Sequence, residues 1–171
     1  MTSISKKRTL IIGVGNTLMR DEGVGVRVIE AMQEAYNLPD NIELLDGGTA
    51  GYTLLDCMED FDCLIIIDAV SSGGTPGEIC RLSSDDIASE KKLKMSGHKI
   101  ELPELLALGK QLGKLPETTL IGLEPADMSW GMELSPFLKS AIPSVIEAVF
   151  EEVGIREGDY KKGAKREEAC A

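Results

Sequence analysis

Apolar runs and amphipathic stretches alternate along this chain. Continuous apolar runs predict buried strands at residues 10–14, 42–45, 63–68 and 118–123. Apolar residues at helical spacing predict helices that begin near residues 22, 54, 103 and 136. Strands that alternate with helices favour a three-layer α/β/α sandwich around a mostly parallel sheet.

The connection after the third apolar run is too short for a parallel crossover. Residues 69–76, rich in Ser and Gly, join that run to a strand predicted at 77–82. A parallel connection needs about a dozen residues or more, usually with a helix. The strand at 77–82 is therefore predicted to be antiparallel, and its charged Glu78 and Arg81 place it at an edge of the sheet.

Local signals suggest where the helices and the domain begin and end. Asp21 is predicted to cap the first helix, because its carboxylate can accept from free N–H groups of the first turn. Pro143 lies inside the last predicted helix and is expected to kink or restart it. The charged stretch at 155–171 has no periodicity and is predicted to be a disordered tail. The folded domain is thus predicted at 9–154, after a short extension at 1–8.

Bulk composition narrows the classes of partner. The chain has 171 residues, of which 43% are hydrophobic, and its formal net charge is −11. This length and apolar content fit one domain with a full core, while the charge argues against nucleic acid or an anionic membrane as partner. No apolar run approaches the roughly 20 residues of a membrane span, and the N-terminus lacks a signal-peptide pattern. We expect a monomer in the cytoplasm.

Motifs for several other chemistries are absent or incomplete. Gly13 and Gly15 begin a dinucleotide-binding fingerprint, but Leu18 stands where its third glycine is required. No serine lies in a Gly-x-Ser-x-Gly elbow. The four cysteines form no Cys-x-x-Cys pair, so the usual zinc spacings and a disulfide framework are not indicated. Hydrolysis, if this chain catalyses it, is expected to use a metal or a carboxylate-activated water.

Three residues are candidates for a functional site: Glu22, Asp68 and His98, the only histidine. Glu22 follows the first predicted strand and Asp68 ends the third, which is where ligands bind in open α/β sheets. Two carboxylates and an imidazole would make a metal site with open positions. Each also has a plainer interpretation. Glu22 suits the first turn of a helix, Asp68 a turn, and His98 a solvated loop.

Two further segments have both a functional and a structural interpretation. Asp46 before Gly47 and Gly48 is mainly a turn residue, with a supporting role beside the candidate ligands as the alternative. The predicted loop at 124–134 contains three side chains that adapt well to apolar partners. They form either a groove for a partner or a lid over the core, and they are Met128, Trp130 and Met132.

In their order along the chain, these motifs resemble those of the hydrogenase maturation endopeptidases. Members of this family remove a C-terminal peptide from the large-subunit precursor of nickel–iron hydrogenases. The resemblance covers about residues 9–154. It rests on Gly13-Val14-Gly15-Asn16, Asp21-Glu22-Gly23-Val24-Gly25-Val26-Arg27, Asp46-Gly47-Gly48-Thr49-Ala50-Gly51, Asp68-Ala69 and His98.

The resemblance implies a five-stranded sheet with one antiparallel strand, and a site whose metal ligands are Glu22, Asp68 and His98. It also implies that the precursor delivers the nickel; other divalent ions are expected to fit the same ligands. The metal either polarises the scissile carbonyl or a water, or only positions the peptide for a carboxylate base. Asp68 is the better candidate for that base, since an apolar strand is expected to raise its pKa. Lys99, where relatives often have Gln, would weakly disfavour metal binding.

Two other functions are alternatives to the endopeptidase. One is a non-catalytic chaperone with the same fold that binds nickel or the precursor. The other is a receiver-like signalling domain, which needs a lysine after the fifth strand to neutralise a phosphate. Glu124 and Pro125 stand there instead, so the receiver interpretation is disfavoured.

Overall fold

The computed structural model describes residues 7–89, 94–95 and 102–162. Its helices are α1 (Val24–Ala35), α2 (Leu54–Met58), α3 (Ser84–Ser89), α4 (Leu102–Gln111) and α5 (Pro136–Val153). Its strands are β1 (Thr9–Val14), β2 (Tyr36–Asn37), β3 (Ile42–Gly48), β4 (Cys63–Ser71), β5 (Ile79–Ser83), β6 (Lys94–Met95), β7 (Glu117–Leu123) and β8 (Lys161–Lys162). No helix of the described part is both long and apolar enough to cross a membrane.

The main sheet has the predicted architecture. Its strands follow the order β3-β1-β4-β7-β5, and the pairs among the first four are parallel. β5 pairs with β7 in the antiparallel sense, as its short connection predicted. The short β6, which the sequence did not indicate, pairs with the end of β4. The five-stranded, mostly parallel sheet with one antiparallel strand is therefore confirmed.

β4 shows why the fold has three layers, because its two faces belong to two cores. Ile65, Ile67 and Ala69 pack into the core under α1 and α5. Leu64, Ile66 and Val70 pack into the core under α2 and α4. Side chains alternate between the faces of a strand, so a continuous apolar run serves both cores at once. Each fully buried Leu or Ile contributes about 1.5–3 kcal/mol relative to an exposed one.

One prediction about the helices is wrong, and one of the two alternatives given for Pro143 is excluded. Asp21 does not cap α1, because a 3-10 turn at Arg20–Gly23 precedes the helix and Gly23 occupies the N-cap without a side-chain cap. Pro143 does not restart the last helix, which runs without interruption from Ser135, its N-cap, to Gly154. Lys139 and Pro143 are both exposed, so water can satisfy the Lys139 carbonyl that loses its N–H partner to the proline.

The C-terminal boundary also differs from the prediction. β8 pairs with β2, and the Tyr160 ring packs against Tyr36 and Phe150, with ring centroids 5.1 and 4.8 Å away. The predicted disordered tail is therefore wrong for residues 155–162, where one aromatic side chain anchors an otherwise charged stretch. Residues 163–171, with Cys170, lie outside the described part of the chain, so disorder there stays a prediction.

Candidate active site

Asp68 lies near the carboxyl end of the central strand, fully enclosed by the protein. β4 continues to Ser71, so Asp68 does not end the strand as the sequence indicated. Its side chain is only 1% exposed, and its backbone is in register with Gly122 of β7. The Ala69 N–H donates to Asp68 Oδ1 over 2.8 Å. A carboxylate in this position is shielded from water, and its Oδ1 has an amide partner in the next residue.

Glu22 reaches the same edge of the sheet from the 3-10 turn before α1. That turn packs against β4, and Glu22 is 7% exposed. Two glycines permit the close approach: a Cβ on Gly15 would collide with the Glu22 carbonyl, and one on Gly25 would collide with the Ile67 carbonyl. The motif glycines thus bring the turn and α1 close to the strands. The structure brings together the elements that carry Glu22 and Asp68.

His98, the third candidate ligand, and its neighbour Lys99 lie outside the described residues. Among residues 7–89, 94–95 and 102–162, no group of three or more His, Cys, Asp or Glu side chains is placed to hold a metal ion. The described part therefore supplies two carboxylates to the predicted trio, and the imidazole stays a prediction.

The segment at Asp46–Gly48 ends β3, and its register with β1 shifts there, with Gly13 opposite Asp46 and Val14 opposite Gly48. Asp46 is exposed, and its Oδ1 accepts from the Gly48 N–H over 2.9 Å. Gly48 has a positive φ of 45°, and its carbonyl accepts from the Gly15 N–H over 2.9 Å. These contacts fit the turn interpretation. β1 lies between β3 and β4, so Asp46 is two strands away from Asp68 in the sheet order.

The segment at 126–135, hereafter the docking loop, is attached along its length to the turn that carries Glu22. The Arg20 N–H donates to the Gly131 carbonyl over 2.8 Å, and the Gly131 N–H donates to the Leu18 carbonyl over 2.9 Å. The Arg27 guanidinium donates to the Met132 carbonyl over 3.1 Å. The backbone of the docking loop is thereby held next to Glu22.

Three apolar side chains of the docking loop are nevertheless exposed, whereas Leu134 near its end packs against the core under α1 and α5. Trp130 is 77% exposed, Met132 65% and Met128 40%, and the adjacent Leu18 is 48% exposed. Side chains this exposed do not cover the core, so the lid interpretation does not fit. A cluster of apolar side chains on a fixed backbone is typical of a surface that binds another molecule.

Glu124 is a buried acid whose position the sequence did not explain. Its carboxylate accepts from the Ser72 N–H over 2.7 Å and from the Ser72 hydroxyl over 2.8 Å. Burial alone would raise the pKa of Glu124, but the Ser72 groups and the N–H groups of Gly74 and Gly73 outweigh it, so the pKa is lowered. Glu124 therefore fixes the loop that follows β4, a few residues beyond Asp68.

Asp21, beside Glu22, is the other buried acid that the sequence misassigned. It is 0% exposed and accepts three backbone N–H groups from the docking loop. The local signal was a helix start for Asp21 and the end of a strand for Glu124, and neither signal revealed the donors, which lie far away along the chain.

The described cysteines show no features of a nucleophile. Cys57 is exposed, whereas Cys63 and Cys80 are partly buried, and all three are free thiols. Burial raises the pKa of both Cys63 and Cys80, which disfavours the reactive thiolate. Cys63 and Cys80 are thus partly buried as small apolar side chains often are, whereas Cys57 is exposed.

Comparison with known proteins identifies relatives across almost the whole chain. A family model described as "Hydrogenase maturation protease" matches residues 26–152. The chain is 37% identical over 167 residues to a hydrogenase expression/formation protein HupD of Rhodobacter capsulatus, covering 96% of this chain and 80% of that protein. It is 39% identical over 144 residues to the hydrogenase 2 maturation protease of Escherichia coli K12, covering 83% and 88% of the two chains. The solved structure of the hydrogenase maturating endopeptidase HybD from E. coli superposes with a TM-score of 0.79 at 36% identity, covering 91% and 96%.

Proposed function

This chain belongs to the hydrogenase maturation protease family, and from that premise we propose that it cleaves the C-terminal peptide from a nickel–iron hydrogenase large-subunit precursor once nickel has been inserted. Family membership assigns a peptidase that acts in hydrogenase processing. The C-terminal position of the cut and its timing after nickel insertion go beyond family membership and are proposed here.

One observation carries the proposal: two buried carboxylates, Glu22 and Asp68, lie on adjoining elements at the carboxyl edge of the sheet. A protease without a nucleophilic Ser or Cys must activate water, and a carboxylate within reach of that water is a suitable base. The surrounding protein excludes bulk water, which strengthens electrostatic interactions at the site.

In this proposal nickel is part of the substrate, because the precursor brings it already bound. Glu22, Asp68 and His98 then complete the coordination of that ion with oxygen and nitrogen ligands. The set contains no thiolate, which fits residues that contact a delivered ion better than residues that store one. Nickel loading thus acts as a checkpoint, since an empty precursor offers these ligands nothing to bind.

Two routes to cleavage fit the same residues. In the first, the ion polarises the scissile carbonyl or a water molecule. In the second, the ion only positions the peptide and Asp68 removes a proton from the attacking water. Glu22 serves as a ligand in both routes. Asp46, Gly47 and Gly48 support the neighbouring backbone through the Gly48–Gly15 hydrogen bond.

The docking loop supplies the surface that receives the precursor. Its exposed Met128, Trp130 and Met132 lie on a backbone tied to the turn that bears Glu22. An apolar segment of the precursor bound there would sit next to the carboxylates. Aromatic side chains at such surfaces often dominate the binding energy.

The test incubates the protein with nickel-loaded and with nickel-free precursor and follows the precursor by mass spectrometry. We expect a decrease in mass equal to a C-terminal peptide, only with nickel. Uncleaved nickel-loaded precursor would contradict the proposal. A stable complex without a decrease in mass would support the second candidate, a non-catalytic chaperone.

A further inference from the structure

The Asp21 carboxylate joins the two ends of the docking loop. Its Oδ2 accepts from the N–H groups of Ala126 and Asp127, both over 2.9 Å, at the start of the loop. Its Oδ1 accepts from the Ser135 N–H over 2.7 Å, at the end of the loop. One side chain therefore closes the segment that carries Met128, Trp130 and Met132.

Asp21 also links this loop to the turn that carries the neighbouring Glu22. The Asp21 N–H donates to the Asp127 carbonyl over 3.1 Å. The side chain and the backbone of Asp21 therefore both bind the start of the loop. Asp21 is 0% exposed, and the groups that satisfy its charge are backbone amides rather than a lysine or arginine side chain. Bonds from N–H groups to a carboxylate are about twice as strong as bonds between neutral groups.

We infer that Asp21 is a positioning residue that holds the precursor-docking surface in register with Glu22. The inference rests on the proposed function and adds how the surface is aligned with the site. The adjacent acids Asp21 and Glu22 then have separate roles. Glu22 contacts the ion that the precursor delivers, and Asp21 acts only through the loop. Asp21 itself is enclosed and touches no substrate.

The test measures steady-state cleavage of nickel-loaded precursor by wild type and Asp21→Asn. Asparagine has nearly the size of aspartate, but its side-chain NH2 group is a donor. It would replace one of the two oxygens that accept from the loop amides. We expect KM to rise on the order of tenfold, as loss of one charge-assisted hydrogen bond implies, with kcat unchanged. A KM equal to that of wild type overturns the inference. If wild type itself does not cleave the precursor, the proposed function fails instead.

A control separates positioning from general stability. Val145→Ala opens a cavity in the core under α5 and lowers Tm, and Val145 lies in the middle of α5, ten residues beyond Ser135 at the end of the loop. We expect it to leave KM unchanged; an equal rise in KM in both variants would overturn the inference. Hydrogen exchange supplies a second readout, and Asp21→Asn is expected to accelerate exchange at Ala126, Asp127 and Ser135 while Val145→Ala leaves these amides protected.

The inference remains testable if Asp21→Asn does not fold. In wild type, the amides of Ala126, Asp127 and Ser135 are expected to exchange as slowly as core amides of β4, because a buried carboxylate holds them. Exchange at the rate of exposed loop amides would overturn the inference without any variant.

Discussion

Acidic side chains occupy both edges of the parallel sheet, but the protein holds them in different ways. At the carboxyl edge, Asp21, Asp68 and Glu124 are buried and accept hydrogen bonds from backbone amides. At the amino edge, Glu117 is exposed and forms an ion pair with Lys7 over 2.8 Å. Asp62 also accepts from a backbone amide, the Arg8 N–H over 2.8 Å, but it is exposed, so burial together with the amide partners distinguishes the carboxyl edge.

The two groups of acids differ in how firmly the protein fixes them. Amides belong to the rigid backbone, so a carboxylate that they hold keeps its place without ordering a flexible side chain. An exposed ion pair must order two long side chains in water and contributes little. We therefore expect substitutions at the carboxyl edge to change activity or stability, and substitutions at the amino edge to change neither.

A large effect is expected at Glu22. Glu22→Gln weakens a ligand for the delivered ion, whose charge stabilisation is worth several kcal/mol, and should slow cleavage of nickel-loaded precursor by about 100-fold or more. Glu34→Gln, an exposed acid on α1, is the matched control and should cleave at the wild-type rate. Quantifying shortened precursor over time checks both. Wild-type activity of Glu22→Gln would remove Glu22 from the site.

A smaller effect is expected at the docking loop. Trp130→Ala should weaken precursor binding about tenfold, because exposed aromatic side chains often act as binding hot spots. Its unfolding free energy should stay within about 0.5 kcal/mol of wild type, since the side chain is 77% exposed. Leu112→Ala, another exposed apolar residue at the end of α4, should bind normally. Binding can be measured by calorimetry, and unchanged affinity of Trp130→Ala would exclude this surface.

Glu124 should affect stability in a pH-dependent way. Its pKa in the folded protein lies below the ordinary value of 4.5, because amides and a hydroxyl of the 72–74 loop favour the charged form despite burial. The resulting stability is present above pH 4.5 and is lost as the pH falls through the folded pKa. Glu124→Gln should thus cost about 1–3 kcal/mol at pH 7 and progressively less below pH 4.5. Denaturant unfolding at several pH values checks this, and a difference independent of pH would contradict it.

The smallest effect is expected at the amino edge. Lys7→Met removes the ion pair with Glu117, in which both side chains are largely exposed. Tm and the cleavage rate should match those of wild type, because solvent screens such a pair. A clear decrease in Tm or in the cleavage rate would show that acids at the amino edge matter as much as those at the carboxyl edge.

The sequence predicted those parts of the fold that depend on local patterns. The apolar run Leu64–Ile67 predicts a central strand, and the short connection that follows predicts that the next strand is antiparallel. The true end of β4 was missed because the polar Asp68 interrupts the apolar run. Residues 155–162 were missed because a single aromatic anchor, Tyr160, leaves no periodic trace.

The site was predictable only where local sequence patterns mark its residues. Glu22 and Asp68 follow strand-like runs, and the rule that ligands bind beyond strand ends selects them. The role of Asp21 was not visible, because its backbone donors lie 105, 106 and 114 residues away in the chain. A local pattern suggests a helix cap for such an acid, whereas only the fold shows which amides reach it.

The most direct test compares Asp68→Asn at the carboxyl edge with Glu117→Gln at the amino edge. Both variants are incubated in excess with nickel-loaded precursor, and single-turnover cleavage is followed by mass spectrometry. If Asp68 acts as the base, Asp68→Asn should cleave about 100- to 10,000-fold more slowly than wild type. Glu117→Gln should cleave at the wild-type rate. Cleavage by Asp68→Asn at that same rate would contradict the account.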